Sequence, residues 1–303
     1  MALLVKSNVS NHSVVIPLFG SLASDFFEYI ESLSRLELNI VIVDNNKRSI
    51  LNALGAIPGY VISNFNNGGI AGGFNRGIEY AISKGSDIIT LLDQDSRIEP
   101  HQVRALSKFL DLNADKKYVV GPSIWDAQRK KRHGRTKPTL VNGVDSSRML
   151  ISSGTTFRSA DWASLGCLNE ALFIDFVDHA WCFRAQTRGF YFFQLRQAVL
   201  RQQFGSKHPN IICNMIGMQL YSPNRHFYAV RNVRWLCIQP FIPFDLKCKE
   251  ALKMFFKPLL WLAFEPQRMR NLKAVISAVI APFNIIPPNF SLNLLFQKIL
   301  FYP

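Results

Sequence analysis

The chain has 303 residues, 48% of them hydrophobic and 18% charged, which allows a large core and excludes extensive disorder. Its formal net charge of +14 predicts attraction to an anionic partner, such as nucleic acid, a membrane surface or a phosphorylated substrate. Five cysteines without a Cys-x-x-Cys pair favour free thiols in a reducing compartment. A transmembrane helix needs about 18 apolar residues in a row, and no uncharged run is that long; the N-terminal residues do not resemble a signal peptide.

Strand and helix patterns alternate over residues 1–125, which predicts an α/β fold with a mostly parallel sheet and helices on both faces. Predicted strands cover residues 14–16, 39–44, 59–63, 118–120 and a run that ends at Asp93. Predicted helices cover residues 25–35, 74–82 and 100–112. The first helix begins at a capping box of Asp25 and Glu28, and the third begins with Pro100, which suits a first turn.

Asp44 ends the second predicted strand and is followed by two asparagines. Its carboxylate can accept a hydrogen bond from a base N–H or a ribose hydroxyl. A solvated turn residue is the alternative interpretation.

The segment 66–77 is rich in glycine and leads into a predicted helix. Glycines let backbone approach a ligand closely, and a helix N-terminus favours anions. The spacing matches neither the dinucleotide fingerprint nor the P-loop, and a flexible connector is the alternative.

Asp93 and Asp95 follow an apolar run and flank Gln94. In a strand their side chains would share one face, about 6–7 Å apart along the chain. They lie at the carboxyl end of the strand, where open α/β sheets bind ligands. Two like charges there favour Mg²⁺ or Mn²⁺ carrying a phosphorylated substrate. Two solvated acids, or the nucleophile of a phosphatase that resembles the haloacid dehalogenases, are the alternatives.

Residues 173–184 place Asp175 and Asp178 among apolar side chains. Such surroundings raise the pKa of a carboxyl group, as a general base requires. The alternative is an ordinary helix start with an acid in its first turn.

Two basic regions follow. Residues 126–148 have the composition of a loop, and the basic run at 129–137 is either solvated or in contact with lipid phosphates. Residues 231–303 carry ten basic and three acidic side chains and many aromatic ones. Within them, lysines alternate with apolar residues, as in an amphipathic helix on an anionic membrane leaflet; a helical subdomain packed on the core is the alternative. The lysines are Lys247, Lys249, Lys253 and Lys257, and the apolar residues are Leu246, Leu252, Phe255 and Phe256. No nucleic-acid-binding motif is present, so nucleic acid is not expected as a partner.

In order, Val-Asp-Asn-Asn at 43–46, the glycine-rich segment, Leu-Leu-Asp-Gln-Asp-Ser at 91–96, Ser-Gly at 153–154 and the segment 173–184 resemble family 2 glycosyltransferases of the GT-A fold. They look most similar to the bacterial rhamnosyltransferases that build surface polysaccharides. The resemblance covers about residues 12–232 and ends with Arg-His-Phe-Tyr-Ala-Val-Arg-Asn at 225–232. A phosphatase would explain none of the other segments.

The resemblance implies an inverting, metal-dependent enzyme that transfers rhamnose from dTDP-rhamnose to a glycan on a polyprenyl diphosphate, in O-antigen-type lipopolysaccharide synthesis. Another nucleotide-sugar donor, such as a UDP-hexose or UDP-galactofuranose, is one alternative, and a binding protein with weak or no activity is another. The implied catalytic domain covers residues 1–230, and residues 231–303 form a helical, basic C-terminal region. We expect the protein in the cytoplasm, with a peripheral position on the inner membrane.

The resemblance also implies roles for single residues. Asp178 corresponds to the general base, and Asp95, together with Asp93, to the ligands of Mg²⁺ or Mn²⁺. The nucleotide-sugar site corresponds to Asp44, Asn67, Gly68, Gly69, Asp93, Gln94, Ser153 and Gly154. The acceptor region corresponds to Asp175, Trp181 and Arg184.

Two positions depart from the pattern of similar enzymes. Ala180 stands where they carry an acid two residues after the base, and Gln202 stands where many carry a histidine that binds the metal. Gln202 itself, or His208 nearby, is a candidate replacement ligand.

Overall fold

The computed structural model describes residues 10–48, 57–126, 130–133, 136–139, 141, 143–202, 210–215 and 220–283. The strands are β1 (His12–Leu18), β2 (Asn39–Asp44), β3 (Tyr60–Ser63), β4 (Ile88–Leu91), β5 (Tyr118–Asp126), β6 (Lys131–His133), β7 (Thr136–Pro138), β8 (Val144–Ser147), β9 (Thr156–Arg158) and β10 (Tyr191–Gln202). The helices are α1 (Phe26–Ser34), α2 (Gly69–Ser83), α3 (Pro100–Asp111), α4 (Trp162–Leu165), α5 (Val177–Gln186), α6 (Ile211–Met215), α7 (Pro223–Ile238), α8 (Phe244–Phe264) and α9 (Arg268–Ile280).

The described strands form one mixed sheet in the order β3-β2-β1-β4-β9-β5-β10-β8-β7, with β6 paired to β5. Strands β1 to β4 run parallel to one another, and β9 lies antiparallel between β4 and β5. Strand β10 returns parallel to β5. The predicted α/β class is therefore confirmed, and so are the predicted strands and helices in the first 125 residues, with one exception. Strand β4 ends at Leu91, so Asp93 and Asp95 lie in the turn that follows it and not on one face of a strand.

Helix α2 packs closely against β1 and β2 because a glycine, Gly77, lies where the helix meets the two strands. A Cβ atom on Gly77 would lie 2.3 Å from Val15 Cγ1 and 2.8 Å from Val43 Cγ2. Phe74, Ile78 and Ala81 on the same helix are fully buried in the adjoining core. This packing fixes the position of the helix start, which borders the candidate site.

The capping box predicted for α1 is wrong, although the helix begins where expected. Asp25 makes no side-chain hydrogen bond to the helix. Its carboxylate instead accepts hydrogen bonds from Arg97 Nε at 3.0 Å and Nη2 at 2.7 Å. A local sequence pattern does not reveal this competing partner 72 residues away.

The loop predicted over residues 126–148 contains three short strands, β6, β7 and β8. They are held by a buried acid: Asp145 is 1% exposed and forms ion pairs with Arg132 at 2.7 Å and Arg196 at 2.6 Å. Arg132 belongs to the basic run at 129–137. Its guanidinium pairs with the carboxylate of Asp145 and not with a lipid phosphate.

Helices α7, α8 and α9 pack together as the predicted helical C-terminal region, around Phe227, Tyr228, Trp261 and Ala274. The division predicted after residue 230 falls inside α7. Asn232, on this helix, is fully buried and its amide donates to the backbone oxygens of Leu172, Ile174 and Asp175. The C-terminal helices therefore hold the segment that leads to Asp178.

Candidate active site

The candidate site lies where parallel strands of the sheet end. Asp44 closes β2, and Asp93 follows β4, so both lie at the carboxyl edge that open α/β sheets use for ligands. Strand β1 pairs with β2 on one side and with β4 on the other, so the ends of β2 and β4 lie on either side of the end of β1.

Asp93 is partly buried and is held by serine hydroxyls. Ser153 Oγ donates to Asp93 Oδ2 at 2.5 Å, and Ser96 Oγ lies 2.9 Å from Ser153 Oγ. Burial raises the pKa of Asp93 to about 7, and the charges of Asp178 and Asp95 add to the increase. The carboxyl group thus carries a proton over part of the neutral range unless a cation offsets the negative charge around it.

Asp178 lies in the first turn of α5, as the alternative interpretation of this segment predicted, and accepts a hydrogen bond from Ser152 Oγ. Burial raises the pKa of Asp178, while the hydrogen bonds from Ser152 and the nearby His179 oppose the increase. Adjacent serines therefore hold the two central carboxylates, since Ser152 binds Asp178 and Ser153 binds Asp93. The sequence analysis missed Ser152, because only the Ser-Gly pair at 153–154 belonged to the family pattern.

Gly154 keeps this serine pair in place. Its φ of +84° lies in the left-handed region that favours glycine, and a Cβ atom there would lie 2.4 Å from Pro122 Cδ. Its N–H donates to the carbonyl of Leu91 at 2.7 Å, at the end of β4. Gly154 is buried, so its role in the structure is to anchor the serines rather than to expose backbone to a ligand.

Asp95 is exposed and has no hydrogen-bond or ion-pair partner in the described part of the chain. A backbone bridge between Arg97 and Arg201 brings the end of β10 beside the loop that carries Asp95. Gln202, the next residue, has a buried Oε1 atom without a partner among the described residues. The negative charges of Asp93 and Asp95 repel each other, and the amide oxygen of Gln202 has no partner in the residues that the structure describes. Oxygen ligands of this kind suit a hard divalent cation.

The described residues contain no group of three His, Cys, Asp or Glu side chains that could hold a metal ion by themselves. A cation at Asp93 and Asp95 would therefore need oxygen ligands from a substrate as well, which is how Mg²⁺ commonly binds phosphates. His208, the other predicted candidate ligand, lies outside the described residues.

The glycine-rich turn contacts protein where the sequence analysis expected a ligand. Gly68 and Gly69 are buried, and Cβ atoms there would lie 2.5 Å from Glu170 Oε2 and 2.4 Å from the Phe173 carbonyl oxygen. The absence of a side chain at these two glycines is therefore required by the packing of the protein itself. Asn67 is exposed beside them, and its carbonyl accepts from Asn64 Nδ2 at 2.7 Å.

Asp44 and Gln94 also act within the protein. Asp44 is 1% exposed, and its Oδ1 accepts from both the backbone N–H and the side-chain amide of Asn46. Gln94 Oε1 accepts from the N–H of Phe19 at 2.7 Å, and its Nε2 donates to the backbone oxygens of Phe19 and Ser21. Gln94 thus fixes the loop after β1 against the loop of Asp93 and Asp95.

The three residues predicted for the acceptor region lie in different surroundings. Asp175 borders the site and forms an ion pair with Arg225, with Nη2 and Oδ1 3.0 Å apart. Trp181 is 3% exposed in the core, and its indole N–H donates to the carbonyl of Gly166. Arg184 donates to the backbone oxygen of Cys167, on the far side of the same helix from Asp178.

Comparison with known proteins identifies the chain as a glycosyltransferase. The profile of Glycosyl transferase family 2 matches residues 13–166, which is half of the chain, and the chain belongs to this family. It is 29% identical over 284 residues to the dTDP-rhamnosyl transferase RfbF of Shigella flexneri, covering 89% of this chain and 95% of that protein.

Two solved structures share the fold. GalNAc-T7 with UDP, GalNAc and Mn²⁺ matches with a TM-score of 0.59 and 13% identity over 97% of this chain and 57% of that chain. The present chain therefore spans little more than half of GalNAc-T7. TarS 1–349 from S. aureus with UDP-GlcNAc matches with a TM-score of 0.52 and 15% identity over 88% of this chain and 79% of that one.

Proposed function

We propose that the protein is an inverting, metal-dependent rhamnosyltransferase that moves rhamnose from dTDP-rhamnose to a polyprenyl-diphosphate-linked glycan in surface polysaccharide synthesis. The observation that carries this proposal is the serine pair that ties a candidate base, Asp178, to a candidate cation ligand, Asp93. Such a reaction must activate the attacking hydroxyl and neutralise the departing diphosphate. The turn at Ser152 and Ser153 holds a candidate residue for each of these tasks.

Asp95 and Asp93 are the residues that would hold Mg²⁺ or Mn²⁺, with Gln202 Oε1 as a further oxygen ligand. When bound, the cation supplies positive charge that stabilises the diphosphate leaving group. The repulsion between Asp93, Asp95 and Asp178 supports this assignment, because a bound cation would offset the electrostatic repulsion between these carboxylates.

Asp178 accepts the proton of the acceptor hydroxyl as that oxygen attacks the anomeric carbon. The raised pKa of the buried carboxyl makes it a better proton acceptor than an ordinary aspartate. Displacement in one step, from the face opposite to the departing diphosphate, inverts the configuration of the anomeric carbon. No covalent sugar–enzyme intermediate forms.

The donor is proposed from the similarity to a dTDP-rhamnosyl transferase. A screen of dTDP-rhamnose, UDP-hexoses and UDP-galactofuranose with a lipid-linked acceptor extract tests it, with products detected by mass spectrometry. Product from dTDP-rhamnose alone is expected. Product from a UDP-sugar alone would contradict the donor assignment, and donor binding without any product would favour a binding protein.

The base assignment has its own test. We expect Asp178→Asn to lose turnover while dTDP still raises the melting temperature as in the wild type, because the serine pair and the Asp93 loop remain. Unchanged turnover in this variant would overturn the role of Asp178.

Helix α8 supports the proposed position on the membrane, because three of the apolar residues named from the sequence are exposed on it. Leu252, Phe255, Phe256 and Leu259 are 52–70% exposed and lie along one side. Glu250 on the opposite side is buried and pairs with Lys253 at 2.6 Å. The apolar stripe can enter the headgroup boundary while the exposed Lys249 beside it faces anionic lipid.

No helix in the described ranges is long and apolar enough to cross a membrane. The peripheral position is tested by co-sedimentation with vesicles that contain anionic phospholipid. Replacing Phe255 and Phe256 by glutamate should abolish binding, whereas Leu112→Glu, a change at a residue of similar exposure on the catalytic domain, should not. Equal loss in both variants would contradict the assignment of this face.

A further inference from the structure

A cavity of about 280 Å³ lies between the start of α7 and the start of α9, outside the group of residues described above. Ser222 and Gln267 are exposed at its mouth, and Glu265 and Asn271 are each only 1% exposed on its wall. Tyr221 adds an aromatic ring to the lining. An aromatic wall with a few polar groups is the usual composition of a small-molecule site, and the volume is close to the lower limit of about 300 Å³ for such sites.

The polar wall of the cavity is a buried cluster of three side chains. Glu265 Oε2 lies 2.7 Å from His226 Nε2 and accepts from Asn271 Nδ2 at 2.8 Å. The ring of Trp261 stacks on His226 with centroids 3.9 Å apart. These contacts fix both cavity-lining side chains in one orientation, as a binding site requires.

Each member of the cluster retains an atom without a partner in the described part of the chain: Glu265 Oε1, Asn271 Oδ1 and His226 Nδ1. Burial lowers the pKa of His226 to about 4, so at neutral pH its Nε2–H donates to Glu265 and its Nδ1 is an acceptor. Asn271 Oδ1 and His226 Nδ1 are then acceptors. Burial raises the pKa of Glu265 to about 7, so its Oε1 is an acceptor in the carboxylate form, which a hydroxyl donor stabilises. Buried acceptors are costly unless a donor reaches them, and hydroxyl groups are donors that fit.

The cavity is connected to the reaction centre by direct contacts. The guanidinium of Arg225 lies 4.1 Å from the centroid of the Tyr221 ring, and it holds Asp175 through two hydrogen bonds. Asp175 is three residues before Asp178, in the segment that α7 fixes through Asn232. The lining of the cavity is therefore joined to the segment that carries Asp178 through Tyr221, Arg225 and Asp175.

We propose that this cavity binds one hydroxyl-rich sugar unit of the acceptor glycan, with Glu265 and Asn271 accepting hydrogen bonds from its hydroxyl groups. The proposal rests on the proposed function for the identity of the ligand as an acceptor. It assigns acceptor recognition to the C-terminal helices and leaves donor binding to the sheet edge.

Asn271→Leu tests the proposal, because it keeps the branched shape of the side chain and removes the acceptor from the wall together with the donor to Glu265. Ser277→Ala is the matched control: Ser277 is on the same helix, is 1% exposed and also has an unpartnered hydroxyl, but it does not line the cavity. With full-length protein, we expect Asn271→Leu to raise the KM for the lipid-linked acceptor roughly tenfold, as loss of a buried hydrogen bond predicts. The KM for the donor should stay within twofold of the wild type, and Ser277→Ala should change neither.

A binding measurement separates this inference from the proposed function. Saturation-transfer NMR with the methyl glycosides of rhamnose, glucose and N-acetylglucosamine, without donor, should show binding of at least one glycoside, and Asn271→Leu should abolish it. Binding that equals that of the wild type in Asn271→Leu, or no binding of any glycoside, would overturn the cavity assignment even if transferase activity is found. Lost glycoside binding in the variant would support it even if the donor proves to be another sugar.

Glu265→Gln provides a second variant if Asn271→Leu does not fold. The exchange is isosteric, and the oxygen that bonds His226 and Asn271 is kept while the group facing the cavity changes from acceptor to donor. The same tenfold rise in acceptor KM is expected. An unchanged acceptor KM in a folded Glu265→Gln protein would contradict the proposal.

Discussion

Ser152→Ala removes the side-chain hydrogen bond that favours the ionised form of Asp178. A hydrogen bond to a charged group contributes about 1.5–3 kcal/mol. Because both side chains are only partly buried, the lower value applies, and about 1.5 kcal/mol corresponds to roughly a tenfold change in the balance between the carboxylate and the protonated acid. The backbone hydrogen bond from Ser152, which has the same effect, remains in the variant.

The direction of the effect follows from which form is active. The reaction needs the carboxylate, and the variant holds its proton more tightly, so the acid limb of the rate profile moves to higher pH. We expect kcat to fall about tenfold on this limb and to recover to the wild-type value on the alkaline plateau.

The assay is a pH profile of kcat at saturating donor, acceptor and metal ion, with the melting temperature measured at each pH to confirm folding. A loss of the same size at every pH would refute the reasoning, because it would mean that Ser152 does not act through the ionisation of Asp178. A profile identical to that of the wild type would show that the hydrogen bond from Ser152 does not change the pKa of Asp178.

Three further predictions concern the neighbouring residues. Ser153→Ala should weaken Mn²⁺ binding measured by calorimetry and leave the shape of the kcat profile unchanged, because Ser153 bonds Asp93 rather than the base. Without metal, the wild type should lose stability as pH rises from about 4 to about 7, since folding raises the pKa of Asp93 and an unfolded aspartate gives up its proton earlier; Asp93→Asn should remove this slope in thermal unfolding. Gly77→Ala should lower the free energy of unfolding by about 1–3 kcal/mol in urea titrations, because its methyl group would overlap Val15 and Val43.

Each of these predictions can fail separately. Mn²⁺ affinity that is unaffected by Ser153→Ala would remove Asp93 from the metal site. A pH slope that persists in Asp93→Asn would place the titrating group elsewhere. Wild-type stability in Gly77→Ala would show that α2 can move away from the sheet at little cost.

The parallel half of the sheet was predictable because its signals are local. A buried strand such as β2 and a buried helix face such as that of α2 each show their period within a few residues. Strands β6 to β8 depend instead on Asp145, whose partners Arg132 and Arg196 are 13 and 51 residues away in the chain. No local pattern distinguishes that basic run from a solvated one.

The acidic residues of the site could be predicted from the sequence, but the hydrogen bonds that hold them could not. Asp93 and Asp178 lie where the motifs placed them, whereas Ser152 could not be recognised, since a serine 26 residues from its partner carries no periodic signal. Gly68 and Gly69 show the opposite problem. Close approach of backbone to a ligand and close approach of backbone to protein both require glycine, and here the neighbours are Glu170 and Phe173.

Trp181 shows why a motif position does not define a contact. Its place three residues after the base corresponds to the acceptor region of similar enzymes, and residues three apart are neighbours on a helix surface. The ring nevertheless packs in the core beside Phe157 and Phe192. The polar groups that we propose for the acceptor are Glu265, between α8 and α9, and Asn271 on α9, which the sequence presents only as part of a basic, aromatic region.

The central claim is a single displacement in which Asp178 takes the proton of the acceptor. The most direct measurement is the anomeric configuration of the product formed from dTDP-rhamnose and the lipid-linked acceptor, determined by NMR from the one-bond carbon–proton coupling of the new linkage. We expect a configuration opposite to that of the donor. A product that retains the configuration of the donor would exclude a single displacement.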